Sequence, residues 1–272
     1  MILEPRPLKR LPTVLLNAWQ QLPSGSWSIT LVHGRHMSAH LRSSEDLRPA
    51  LASGVLRLRG LSGILDAAGM GHTYRANSPI FQGRQWYNQL LLRAGFWASF
   101  SAPLLLLFES DTALCPSPTR PLAAFAGYGY VGAPWAAYPG GWFPAWCRNL
   151  GSCVGNSGLS LWRRDIMQNV TSQPPSAYEA TVARYLLTNR GSAAKPGVGS
   201  NKALYRGMGN LTFSAELVSH IDVWASVLLQ SLEAVGALPA ALAGSAVPSD
   251  VVASRFSVET LYYSSAVRAW TP

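Results

Sequence analysis

Two rhythms of apolar and polar positions run along the chain. Trp27 to Val32 carries a polar residue at alternate positions and stops at His33-Gly34, which predicts a strand and its turn. Val55-Leu-Arg-Leu-Arg59 alternates cleanly and predicts a strand with one wet face. Tyr87 to Phe100 places Leu90, Leu91, Ala94, Trp97 and Ala98 at helical spacing, which predicts an amphipathic helix. Pro103 punctuates that pattern, and Leu104-Leu-Leu-Leu-Phe108 follows as an unbroken apolar run bounded by Glu109-Ser-Asp111. Such a run predicts a strand buried on both faces, as in a mostly parallel sheet covered by helices. Met1 to Arg6 leads into what reads as the first strand, Glu216 to Val235 has a second long helical pattern, and Phe256-Ser-Val-Glu259 reads as a short late strand. Strands alternating with helices predict a wound α/β sheet in a single domain, 1–272. A Ser/Ala/Gly/Asn-rich stretch at about 171–214 reads as an insertion, with a short helix over Tyr178–Leu187 and a loop over Gly191–Asn201.

Composition narrows the class. Of 272 residues, 48% are apolar and 13% are charged, so a disordered chain is excluded. No stretch reads as a membrane span: Ala94 to Phe108 falls short of the roughly 18 residues required and is interrupted by Pro103. The first residues lack the basic-then-apolar order of a signal peptide, so any targeting or anchor segment is expected upstream. Cys115, Cys147 and Cys153 form no Cys-x-x-Cys pair and predict neither a zinc site nor a disulfide scaffold, a single Cys147–Cys153 bridge being compatible with the spacing. Two sequons, at Asn169 and Asn210, are compatible with a secretory route. The net charge of +9 comes from a shortage of acids. The basic residues are scattered, with only Lys9-Arg10 and Arg163-Arg164 adjacent, which argues against nucleic acid as a partner.

That shortage of acids points to one place. Between Ala67 and Arg164 the chain has seven arginines and two carboxylates, Glu109 and Asp111, both at the end of the most apolar strand. In extended chain, positions i and i+2 face one side, and ligands of open α/β sheets bind beyond the carboxyl ends of the strands. A hard divalent cation is held by one or two carboxylates together with nucleotide phosphates. Glu109-Ser-Asp111 therefore reads as an acid-x-acid metal–diphosphate site, or else as two surface acids capping the next turn. Trp135, after Gly132-Ala-Pro, reads as a stacking platform for a sugar or base, or as packing. Gly155-Asn-Ser-Gly158 lies between two apparent strands, where glycines permit positive φ and close approach to a ligand, or simply a turn. His33, His36 and His40 lack companions for a metal site and read as solvated turn residues. No P-loop and no nucleophile elbow is present.

In order, Trp27-Ser-Ile, Tyr87-Asn88, Phe96-Trp97, Glu109-Ser-Asp-Thr112, Tyr130-Val-Gly-Ala-Pro-Trp135, Val154-Gly-Asn-Ser-Gly-Leu-Ser160 and Phe256-Ser-Val-Glu259 resemble a domain-of-unknown-function family, number 5672, grouped with nucleotide-sugar transferases. The resemblance implies a GT-A-like, Rossmann-type α/β/α sandwich with a mostly parallel central sheet. It implies a glycosyltransferase that moves a sugar from a nucleotide-diphospho-sugar donor to an acceptor hydroxyl on a glycan, lipid or protein. It also implies a divalent metal cofactor, Mn²⁺ or Mg²⁺, on Asp111 and Glu109. Donor contacts would come from Gly155, Asn156, Ser157, Gly158, Trp135 and Arg6, and Asp222 would act as general base. The family's Gln-x-Asp-Ser stands here as Glu109-Ser-Asp111-Thr112, and its Gly-Asn-Gly-Gly as Gly155-Asn-Ser-Gly158. Ile221 replaces the acidic neighbour of Asp222, and Val267 replaces a histidine. Those two losses imply an alternative, a catalytically degenerate carbohydrate- or nucleotide-binding relative.

Overall fold

The computed structural model describes residues 1–23, 25–71, 85–114, 122–134, 152–188, 221–238 and 246–256. Strand β1 (Ile2–Glu4) is followed by α1 (Leu11–Gln21), β2 (Ile29–His33), α2 (Ser38–Ser43), α3 (Arg48–Ala52), β3 (Leu56–Gly60) and α4 (Leu61–Ala67). Then come α5 (Gln85–Leu91), α6 (Ala94–Ala98), β4 (Leu104–Phe108), β5 (Tyr130–Pro134), β6 (Val154–Arg163) and α7 (Arg164–Val170). Helices α8 (Glu179–Thr188), α9 (Ile221–Ala234) and α10 (Asp250–Ala253) complete the described elements.

The strands form a parallel sheet, β1-β2-β3, and an antiparallel one, β4-β6-β5. Met1 joins them. Its α-amine donates to the carbonyl of Leu106, and the N–H of Phe108 donates to its own carbonyl at 3.1 Å. That exchange, from one residue to the two flanking its partner, is the bond pattern of a parallel pair, so β1 runs beside and along β4. The resulting order is β3-β2-β1-β4-β6-β5, with β6 alone reversed. The expectation of a mostly parallel sheet is thus corrected in its second half. Pro134 at the end of β5 lies opposite Val154 at the start of β6, so the chain leaves and re-enters at one edge, which requires antiparallel pairing.

Alternating residues of each strand feed two separate cores. Leu105, Leu107, Tyr130 and Trp162 point to a core built with α4 to α9. Leu106, Phe108, Val131 and Leu161 point to one built with Ile2, Leu31, α1, α2 and α3. The Leu104–Phe108 run is therefore buried from both sides, each such side chain contributing roughly 1.5–3 kcal/mol. Helices after β1 and β2 cover one face and those after β3 cover the other, so the chain reverses its winding between β1 and β4.

Two readings of the sequence change in detail. The single helix expected over Tyr87–Phe100 breaks at Arg93, which is extended (φ −106°, ψ 126°). The break lets Gly95 lie against the backbone of Ala67, where a side chain would collide, and the Trp97 indole N–H donates to the Leu91 carbonyl at 2.7 Å. The first part of the stretch read as an insertion forms α8, whose Val182 and Tyr185 are buried in the main core. Residues 189–220, and all of the strand expected over Phe256–Glu259 except Phe256, lie outside the described residues. Among the described residues no helix is long and apolar enough to cross a membrane.

Burial lowers the pKa of the Met1 α-amine from 8.0 to about 5. Between those values the unfolded amine binds a proton that the folded one refuses, so stability rises with pH. A chain that starts at Met1 is expected to lose up to about 4 kcal/mol of stability from this group as pH falls from 8 to 5. Urea denaturation across that range checks it, and a chain with one residue ahead of Met1, which carries an amide there, should lack this dependence.

Candidate functional site

The winding reverses between β1 and β4, and wound α/β sheets bind ligands beyond the carboxyl ends of the strands at such a point. The residues that converge there come from four segments. After β4, Glu109-Ser-Asp-Thr112 closes a tight turn, with the Thr112 N–H donating to the Glu109 carbonyl at 3.1 Å. The extended geometry assumed for Glu109 and Asp111 is therefore replaced by a turn, in which Ser110 is buried, Glu109 is half-buried and Asp111 is exposed. One acceptor pins this turn to β6: the Gly158 carbonyl receives the Glu109 N–H at 2.9 Å and the Thr112 hydroxyl at 2.7 Å. On its other side, the Asn17 side chain of α1 clamps the backbone N–H and carbonyl of Leu114 at 2.7 and 3.0 Å.

Gly155-Asn-Ser-Gly158 is part of β6, where a loop between strands was expected. Neither glycine has positive φ. Its irregularity is a shift of the β5–β6 register around Ala133, and the Asn156 side chain bends back to accept the Gly158 N–H at 2.9 Å. Ser157 is buried, and its hydroxyl donates to Asp222 at 3.4 Å. Asp222, half-buried in the first turn of α9, also accepts the Val223 N–H at 2.9 Å. The Asn88 side chain accepts the Ile221 N–H at 3.3 Å and ties that helix start to α5.

Two tyrosines complete this side of the site. The Tyr87 phenol feels both Glu109 and Asp222, and burial is the main force that raises its pKa far above the usual range. Tyr130 stacks obliquely on Trp162 at 4.2 Å, and burial, then Asp222 and Tyr87, raise its pKa likewise. Both phenols therefore stay protonated at all ordinary pH. The Tyr130 hydroxyl, fully buried, has no hydrogen-bond partner among the described residues.

After β1, Glu4 is 3% exposed and holds Arg6 through two parallel bonds, Nε to Oε1 at 2.8 Å and Nη2 to Oε2 at 3.0 Å. Arg6 lies in the field of Glu109 and Asp111. Glu109, Asp111, Arg6, Asn156, Ser157, Gly158 and Asp222 thus gather at one edge of the sheet, while Trp135 lies outside the described residues. Among the described residues no group of three or more His, Cys, Asp or Glu side chains could hold a metal. His36 and His40 are exposed, and His33 is buried with its Nδ1 2.8 Å from the Gly34 carbonyl.

Sequence reasoning passed over Glu4, Arg10, Tyr87, Asn88 and Tyr130. Tyr87-Asn88 and Tyr130 stood in the ordered motifs, but nothing in their spacing marks them as neighbours of Asp222. The start of β6 is secured by a separate polar knot. Ser152 exchanges two backbone bonds with the Gln230 side chain, at 2.9 and 3.1 Å, and Asp250 accepts the Cys153 N–H at 2.6 Å. Cys153 is disulfide-bonded, and the other two cysteines lie outside the described residues. A cavity of about 320 Å³ beside this knot, lined by Ser152, Tyr185, Gln230 and Glu233 among others, includes none of Glu109, Asp111 and Asp222.

Residues 72–270 match the family described as Protein of unknown function (DUF5672), and the chain belongs to that family. No curated protein and no solved structure matches it.

Gly132 sets how closely β5 and β6 approach. A Cβ there would fall inside van der Waals distance of the Asn156 carbonyl and 2.5 Å from the Tyr130 hydroxyl. Gly132→Ala is expected to cost about 1–3 kcal/mol of stability. A lower urea midpoint with an unchanged slope would confirm it, whereas an unaltered midpoint would contradict the packing.

Proposed function

We propose that this protein is a metal-dependent glycosyltransferase that moves a sugar from a nucleotide-diphospho-sugar to an acceptor hydroxyl. The observation that carries the proposal is the convergence of the Glu109–Thr112 turn, the Asn156–Gly158 segment and Asp222 beyond the strand ends where the sheet reverses its winding. The strand order β3-β2-β1-β4-β6-β5 with helices on both faces supports a GT-A-like, Rossmann-type sandwich.

Asp222 is suited to the proton step. Its carboxylate takes the proton of the acceptor hydroxyl as that oxygen bonds to the anomeric carbon and the bond from that carbon to the diphosphate breaks. The Ser157 hydroxyl and the Val223 N–H orient the carboxylate for that role. The neutral phenols of Tyr87 and Tyr130 limit water around it. A divalent cation fits a donor set of one exposed aspartate, Asp111, with Glu109 beside it, because Mg²⁺ and Mn²⁺ take their remaining ligands from phosphates and water. Bound there, it would offset charge on the leaving diphosphate.

One observation favours a second reading, a non-catalytic relative that binds a glycan or nucleotide. Ile221, in place of the acid implied by the resemblance, is fully buried and leaves Asp222 without an acidic neighbour in its helix turn.

Transfer or hydrolysis should appear in a nucleotide-sugar panel with Mn²⁺, be lost in Asp111→Ala, and fall by about 10²- to 10⁴-fold in kcat for Asp222→Asn. Absence of any metal-dependent binding or turnover across the panel would refute the transferase reading. Glycan binding that needs neither metal nor donor would establish the second one.

A further inference from the structure

A buried carboxylate that fixes an exposed guanidinium is an unusual use of an acid in a chain that has so few. Glu4 spends both oxygens on Arg6, and its Oε1 also receives the Arg6 backbone N–H at 3.0 Å. The pair occupies only the Nε and Nη2 side of the guanidinium, whose side chain is 62% exposed. Its remaining N–H groups lie on the edge away from Glu4, and Glu109 and Asp111 contribute to the field at the guanidinium. A second exposed guanidinium, Arg10, reaches the same place from the start of α1, where its Nη2 donates to the Ser110 hydroxyl at 3.3 Å. Two cations thus lie beside the acidic turn beyond the ends of β1 and β4.

We infer that Arg6 and Arg10 form the anion half of the site and hold the two phosphoryl groups of a nucleoside diphosphate, with Glu4 as the positioning residue for Arg6. The inference rests on the transferase reading for the identity of the anion. A guanidinium presents planar, paired N–H donors that match phosphate oxygens, and fixing one edge of it on a buried carboxylate removes the rotamer freedom that binding would otherwise have to freeze. The opposed carboxylates keep this from being a general polyanion patch. An anion that spans the gap must satisfy the arginines and also bring a cation to Glu109 and Asp111, which a diphosphate–metal complex does.

Calorimetry on the 272-residue chain tests this, with inorganic pyrophosphate and with UDP as probes, each in Mn²⁺. Arg6→Gln and Arg10→Gln should each weaken pyrophosphate binding by about tenfold, the cost of one charge-assisted contact. Glu4→Gln should weaken it similarly in the parent and add nothing in an Arg6→Gln background, a dependence that general loss of structure would not produce. Because Glu4 is buried, the two exposed arginine variants carry the test if Glu4→Gln does not fold. Unchanged affinity in both arginine variants, or no pyrophosphate binding by the parent, would overturn the inference. Arginine-dependent binding in a parent that turns over no nucleotide sugar would uphold it while the transferase reading fails. Turnover that is indifferent to both arginines would do the reverse.

Discussion

Five apolar residues in succession, Leu104 to Phe108, have no polar face to offer water, and the rest of the structure is arranged around that demand. A strand apolar on both sides must be covered on both sides. Helices α1 to α3 close over Leu106 and Phe108, and α5 to α9 close over Leu105 and Leu107. With both faces occupied, the only directions left for β4 to interact are its two edges. One is taken by β6 and the other by β1 through Met1. Where this strand emerges from cover, the first polar residues it can place are Glu109, Ser110 and Asp111.

The same arrangement explains why the candidate site residues lie at one edge. Windings of opposite sense diverge from β1 and β4, and wound α/β sheets bind ligands beyond the carboxyl ends of the strands at such a point. Glu4 and Arg6 reach it from one side, and the Glu109–Thr112 turn from the other. β6, reversed, brings its first residues to that edge, and α9 brings Asp222. The turn is held by the Glu109 N–H and the Thr112 hydroxyl, which both donate to the Gly158 carbonyl, and Asn17 clamps Leu114 just beyond it, so its exposed aspartate stands on a fixed support. Preorganisation of this kind suits a site that must meet developing charge with little rearrangement.

Charge placement at this edge has its own logic. A carboxylate as buried as Glu4 is tolerable only when paired, and Arg6 pairs with it through two bonds at 2.8 and 3.0 Å. Asp222 and the two phenols show the complementary device. Burial keeps Tyr87 and Tyr130 neutral beside that carboxylate.

The sequence by itself determined the strands and helices whose patterns are strong: β2, β3, β4, α9 and the short helix within 171–188. It also singled out Glu109 and Asp111, because acids are scarce and these two follow the most apolar run. Local patterning could not show that the helix over Tyr87–Phe100 would break, since the cause is a distant one, the close approach of Gly95 to Ala67. Nor could it show that Gly155–Gly158 would pair as strand, because a glycine-flanked asparagine reads as a turn until Ala133 of β5 lies opposite Asn156 and the Glu109 N–H donates to Gly158. Arg10 meets Ser110 across 100 residues of chain, and Ser157 meets Asp222 across 65. Tertiary structure alone decided those meetings: side-chain spacing encodes which face of an element is buried, whereas strand order and winding decide which elements end side by side.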